Sequence, residues 1–106
     1  MKDKGIKYEF SARPCYYSSQ EEICGWVFAL FPKDMSTEIR KNFGGLEEGW
    51  GRMKVLAKIG STEWKTSIWF DTKKDTYMLP LKAEIRKKEN IILDKDVKII
   101  IFIKLY

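Results

Sequence analysis

A strand, a proline and a short helix occur twice in this chain. Phe28-Ala29-Leu30-Phe31-Pro32 leads into Ser36-Thr37-Glu38-Ile39-Arg40-Lys41, and Tyr77-Met78-Leu79-Pro80 leads into Ala83-Glu84-Ile85-Arg86-Lys87. In each copy an apolar run suited to a strand meets a proline, which has no N–H to give to a ladder. A helix carrying Glu-Ile-Arg-Lys follows, and then a further strand region. The two Glu-Ile-Arg-Lys runs lie 46 positions apart. Two such units in 106 residues leave room for one domain over residues 1–106 and a single core. The expected fold is a closed, pseudo-symmetric β-barrel with two short helices.

Hydropathy fills in the elements between these landmarks. Ile6, Tyr8, Phe10 and Ala12 alternate with polar residues, as in a strand with one face buried. Pro14 ends that strand, residues 16–22 read as a polar loop, and residues 25–31 form a nearly all-apolar second strand. The first helix takes Asp34 or Ser36 as N-cap; Met35, Ile39 and Phe43 make its apolar stripe. Gly44-Gly45 closes it through the left-handed conformation that glycine tolerates. A strand over residues 52–59 turns at Gly60-Ser61-Thr62 into another, with Trp64, Thr66, Ile68 and Phe70 on one face. Lys65, Ser67, Trp69 and Asp71 take the opposite face. A second helix, about residues 81–89, buries Leu81 and Ile85, and Val97, Ile99, Ile101, Ile103 and Leu105 make one face of a last strand.

Histidine is absent, which removes His-dependent nucleophilic systems and histidine metal sites. Cys15 and Cys24 are nine apart, matching no zinc or thioredoxin-type spacing. They are expected as idle thiols, a disulfide being open only if their strands are adjacent. No apolar run is long enough to span a bilayer, and Met1-Lys2-Asp3-Lys4-Gly5 lacks the apolar stretch of a signal peptide. A cytoplasmic location, as a monomer or weak dimer, is the expectation. The net charge of +5 arises entirely from residues 54–106, because residues 1–53 hold equal numbers of acidic and basic side chains. Lys82, Arg86, Lys87 and Lys88 form the densest patch, which suits phosphate or nucleic acid. The plainer reading, a solvated helix face, is preferred.

Beyond these patterns, Trp50-Gly51 with Val55, Ile59-Gly60, Trp64-Lys65-Thr66-Ser67-Ile68, residues 77–82, Ile85-Arg86-Lys87 and Asp96-Val97 resemble a bacterial family, the domain of unknown function 1905. Gly25-Trp26 and Leu30-Phe31-Pro32-Lys33 match its amino-terminal half. Lys95-Asp96 departs from the family's common Gly-Asp. The resemblance implies a split barrel, distantly like the AbrB and MazE type of regulator, so that the fold class becomes mainly β, a double-split β-barrel built from two pseudo-repeats. It implies no agreed activity.

The sharpest site candidate is an anion site of Thr66, Ser67, Lys82 and Arg86, in which Arg86 supplies bidentate contacts. Strand alternation lets only one of the two hydroxyls share it. Of Trp26, Trp50, Trp64 and Trp69, the last, beside Lys65, is the better surface candidate for stacking. No paired carboxylates stand on a concave face, no phosphate loop has the required spacing, and no cofactor or metal is expected. The leading expectation is a non-catalytic binding module for a partner protein or small anionic ligand. The alternative is a DNA-binding regulator using Lys65, Trp69, Lys82, Arg86, Lys87 and Lys88; an enzyme is the third.

Overall fold

The computed structural model describes residues 5–18 and 23–104. They form seven antiparallel strands and two helices: β1 (Ile6–Ala12), β2 (Cys15–Ser18), β3 (Ile23–Leu30), α1 (Lys33–Phe43), β4 (Arg52–Ile59), β5 (Thr62–Asp71), β6 (Thr76–Pro80), α2 (Ala83–Lys88) and β7 (Val97–Ile103). The strands make one sheet in the order β1-β7-β4-β5-β6-β3-β2. Four strands separate β1 from β3 in that order, yet the rings of Phe10 on β1 and Phe31, just past β3, have centroids 4.4 Å apart. Only a strongly curled sheet allows this. Its two ends belong to one stretch of chain, since β1 passes into β2 through Arg13 and Pro14. The fold is therefore mainly β and barrel-like, as the repeats imply.

The pairing also exposes the internal symmetry. In the β3–β6 ladder Phe28 faces Pro80, Ala29 faces Leu79 and Leu30 faces Met78, so residue n of one half corresponds to residue n + 50 of the other. Backbone hydrogen bonds obey the same relation. Phe31 N–H donates to the Tyr77 carbonyl at 3.0 Å and Leu81 N–H to the Val27 carbonyl at 2.8 Å; Ser36 N–H donates to Pro32 at 2.9 Å and Arg86 N–H to Lys82 at 3.0 Å. β5 pairs residues 62–69 with β4 and residues 69–71 with β6. Its counterpart is broken at Pro14, β1 serving β7 and β2 serving β3.

The spacing of 46 between the Glu-Ile-Arg-Lys runs is thus four short of the spatial repeat, about one helical turn. The helices differ in length for this reason. α1 runs eleven residues and buries Ile39 in its second turn, whereas α2 ends after six and must place its apolar anchor, Ile85, in its first.

The core lies inside the curl. Met53, Ala57, Ile68, Leu79, Ile99, Ile101 and Ile103 are buried there together with Ile39 of α1, and Val97 is half-buried at its margin; Leu105 lies outside the described residues. Several expectations need correction. Residues 15–18 extend as β2 because the edge of β3 offers them hydrogen-bond partners; residues 19–22 lie outside the described residues. Neither Asp34 nor Ser36 caps α1. Pro32 occupies the N-cap with no side-chain bond, and Ser36 sits inside the helix. Gly44 stays right-handed, at φ −56° and ψ −27°, because the chain tightens into a 3-10 turn over Gly44–Leu46. Cys15, in contrast, is the free thiol expected; although β2 and β3 are adjacent, it faces Phe28, four residues along β3 from Cys24. That separation, about 13 Å at strand rise, exceeds the roughly 7 Å limit between disulfide-linked Cα atoms.

Candidate functional site

Strand register gathers cations on the outer face of the sheet. Turning at Gly60 and Ser61, the β4–β5 hairpin sets Arg52 opposite Trp69, Lys54 opposite Ser67 and Leu56 opposite Lys65. These alternate with Met53, Val55 and Ala57, which face the core, so the polar set points outward together. β6 lies against the end of β5, and its exit through Pro80, Leu81 and Lys82 carries the chain into α2 across the same face. Between the hairpin and this exit is an open cleft of about 830 Å³.

Thr66, Ser67, Lys82 and Arg86 all border it, as do Lys65 and Trp69. Of the two hydroxyls, Ser67 shares the pleat of Lys65 and Trp69, while Thr66 lies on the opposite pleat with Val55. Lys87 and Lys88 are exposed on α2 and do not line the cleft. Trp64 packs against the core, and the Trp50 side chain lies outside the described part.

Of the polar and aromatic lining residues, the sequence reading left out Arg52 and Lys54 and set Trp26 behind Trp69. The first two had a usable signal. A two-residue turn at Gly60 and Ser61 fixes which β4 position meets Trp69 and Ser67. For Trp26 no sequence signal set it beside Trp69, because it reaches β5 only through the β3–β6 pairing. Its ring, about half exposed, lies 5.7 Å from that of Trp69, and both contact Phe28, at 6.1 and 5.8 Å. An aromatic wall therefore stands at one end of a cationic floor.

Among the described residues no carboxylate lines the cleft, against five cations: Arg52, Lys54, Lys65, Lys82 and Arg86. Arg86 is oriented by an Nε–H bond to the Leu81 carbonyl at 3.1 Å, and Arg52 by a longer one to Gly49 at 3.4 Å. Lys54 meets Glu48 at 3.6 Å in an exposed pair, which contributes little. Among the described residues Lys65 and Lys82 have no ion-pair partner. A concave surface of one sign concentrates its field on whatever enters.

The shifted tyrosines lie elsewhere. Burial chiefly, then the neighbouring Glu47 carboxylate that accepts its hydroxyl proton, pushes the Tyr77 pKa well above the usual phenol value. Burial followed by Glu38 does the same to Tyr8. Both remain neutral phenols at ordinary pH.

The sequence profile of a domain of unknown function, DUF1905, matches residues 10–101, a span holding all seven strands in whole or part and the complete cleft. The chain belongs to this family. No curated protein matches it. The DUF1905 span takes in both halves of the pseudo-symmetric sheet, so the repeat is internal to the domain. Within the DUF1905 domain no helix among the described residues is long and apolar enough to cross a membrane.

Proposed function

We propose that this DUF1905 protein is a non-catalytic binding module whose cleft takes an anionic ligand. The observation that carries this reading is the lining itself, which among the described residues holds five cations, two of them lysines without an ion-pair partner, and no carboxylate. An anion entering there replaces mutual repulsion with charge-assisted hydrogen bonds, the stronger class of such bonds. Ser67 adds a neutral donor on the same pleat, and Arg86, held by Leu81, offers a preset fork.

The test uses tripolyphosphate as probe and thermal unfolding as readout. A ligand bound only by the folded state raises stability with its concentration, by about 2.7 kcal/mol at a hundredfold excess over Kd. The wild type is expected to melt higher with tripolyphosphate, and Lys82→Ala to lose that shift while keeping its unliganded Tm. An equal shift in both proteins would place the anion outside the cleft.

Binding of duplex DNA by α2 is the rival reading, favoured by the exposure of Lys87 and Lys88 beside Arg86. Charge reversal at Lys87 and Lys88 separates the two. It abolishes duplex binding in the rival reading and leaves a cleft-bound anion in place.

A further inference from the structure

The cationic cleft does not end at Lys54 and Lys65. These two and Thr66 also border a second cavity of about 550 Å³, which continues to Leu56, Phe102 and Lys104. Register shows the continuity: Arg52, Lys54 and Leu56 follow one another along the outer pleat of β4, and Leu56 faces Phe102 of β7. From Arg52 to Leu56 is four residue steps, about 13 Å at strand rise, before the α2 side and the β7 side are added. Aromatic rings stand at both ends, Trp26 and Trp69 at one and Phe102 at the other, with cations between. Those cations form two banks, Lys82 and Arg86 on the α2 side, Arg52, Lys54 and Lys65 on the strands. Among the described residues one carboxylate, Glu48, borders the second cavity, where it meets Lys54 at 3.6 Å in an exposed pair.

A compact anion engages one bank and leaves the rings idle. A chain that carries regularly spaced anions and flat rings uses both banks and both ends. Single-stranded nucleic acid has this chemistry: its phosphates follow a positive groove and its unpaired bases stack on aromatic side chains. In a duplex the base faces are already stacked and closed to Trp26 and Trp69. Polyphosphate has no ring to offer them. We propose that the joined groove binds a single-stranded nucleic acid, with phosphates on Lys65, Lys82 and Arg86 and bases against Trp26 and Trp69. This rests on the anion-binding reading above and gives its ligand a chemical class.

The experiment follows the anisotropy of a labelled oligothymidylate and the tryptophan fluorescence of the full chain. The same strand annealed to its complement and an inorganic polyphosphate of equal charge serve as competitors. The single strand is expected to bind and quench tryptophan emission, with log affinity falling against log salt by about 0.7 per phosphate held. Trp26→Ala, at a half-exposed site where the fold has little to lose, is expected to weaken it about tenfold. Lys65→Gln with Lys82→Gln reduces the salt slope. Two results overturn the single-strand assignment while leaving the anion cleft standing: polyphosphate competing as well as the oligonucleotide, or Trp26→Ala binding at full strength without loss. A duplex that binds as tightly as the single strand overturns it in favour of the α2 rival. If neither oligonucleotide nor polyphosphate binds, the anion reading falls with it.

Discussion

Residues 32–36 and 82–86 occupy equivalent places in the two halves, and they are used in opposite ways. In the first half Pro32 opens α1 and Ser36 is fully buried; its hydroxyl donates to the Pro32 carbonyl at 3.0 Å and accepts the Tyr77 N–H at 3.0 Å. That one side chain ties α1 to β6. In the second half the same stations hold Lys82 and Arg86, whose side chains reach into the cleft. The surroundings diverge likewise. Beside α1 a smaller cavity, about 510 Å³, touches Glu9, Asp34 and Glu38, all acidic, whereas the charged groups described at the α2 cleft are all cations. Among the described residues no acidic group is placed to hold a metal, and Glu9 is satisfied by Lys98 at 3.1 Å and Lys7 at 3.7 Å. One backbone arrangement thus closes the barrel in one half and holds open a site in the other. A duplicated frame gives the two copies room to diverge in this way, because only one of them has to seal.

The largest effect is expected from exchanging the two stations. Ser36→Arg forces a cation into a fully buried position, a loss of about 3–5 kcal/mol from a domain whose whole stability is about 5–15 kcal/mol. Arg86→Ser exposes nothing from the core and is expected to stay within about 1 kcal/mol while losing tripolyphosphate binding. Urea unfolding of both variants is the check; equal losses would mean the halves are not differently committed.

Next in size is the clamp that holds α1. Tyr77 donates to Glu47, Glu47 meets Arg40 at 3.7 Å, and the Arg40 guanidinium lies 3.8 Å from the centre of the Phe70 ring. Tyr77→Phe removes a bond to a charged acceptor and is expected to cost about 1.5–3 kcal/mol. It also changes the alkaline limb. The Tyr77 pKa is raised by folding, mainly through burial, so the folded chain keeps a proton that the unfolded chain releases above about pH 10. Stability from this group is complete below that pH and declines above it. Thermal melts between neutral pH and pH 11 should show a shallower alkaline decline in Tyr77→Phe than in wild type. Parallel declines would remove Tyr77 as the source.

The smallest effect belongs to the clamp on α2. Glu89, just past the helix, accepts the Thr62 hydroxyl proton and rests against Gly60, which is left-handed at φ +58°. Gly60→Ala brings a Cβ into the Glu89 carboxylate and places alanine where it costs about 1–2 kcal/mol. A drop of that order in urea midpoint, with tripolyphosphate binding retained, is the expected outcome. Loss of binding at unchanged stability would show that this clamp orients Arg86 rather than merely securing the helix end.

Much of this was legible in the chain because it depends on neighbours in sequence. Alternation of Met53, Val55, Ala57 and Ile59 with Arg52, Lys54, Leu56 and Lys58 declared a strand, and Gly60-Ser61-Thr62 declared the turn that leads from it into β5. Lys82 and Arg86 announced a basic patch, and Thr66 and Ser67 the hydroxyls beside it, though not which of the two shares the pleat of Lys65 and Trp69. The repeat was visible too, though its apparent period of 46 misplaced the equivalence by a helical turn. Helix register follows from where the preceding strand is gripped, and the β3–β6 ladder does the gripping. Only the tertiary structure could bring Trp26 beside Trp69, or set Arg52 and Lys54 facing Lys82 and Arg86. Periodicity tells each residue which side of its own strand it occupies. The order in which strands meet is set by burying one apolar surface inside a curled sheet, and that condition involves the whole chain at once.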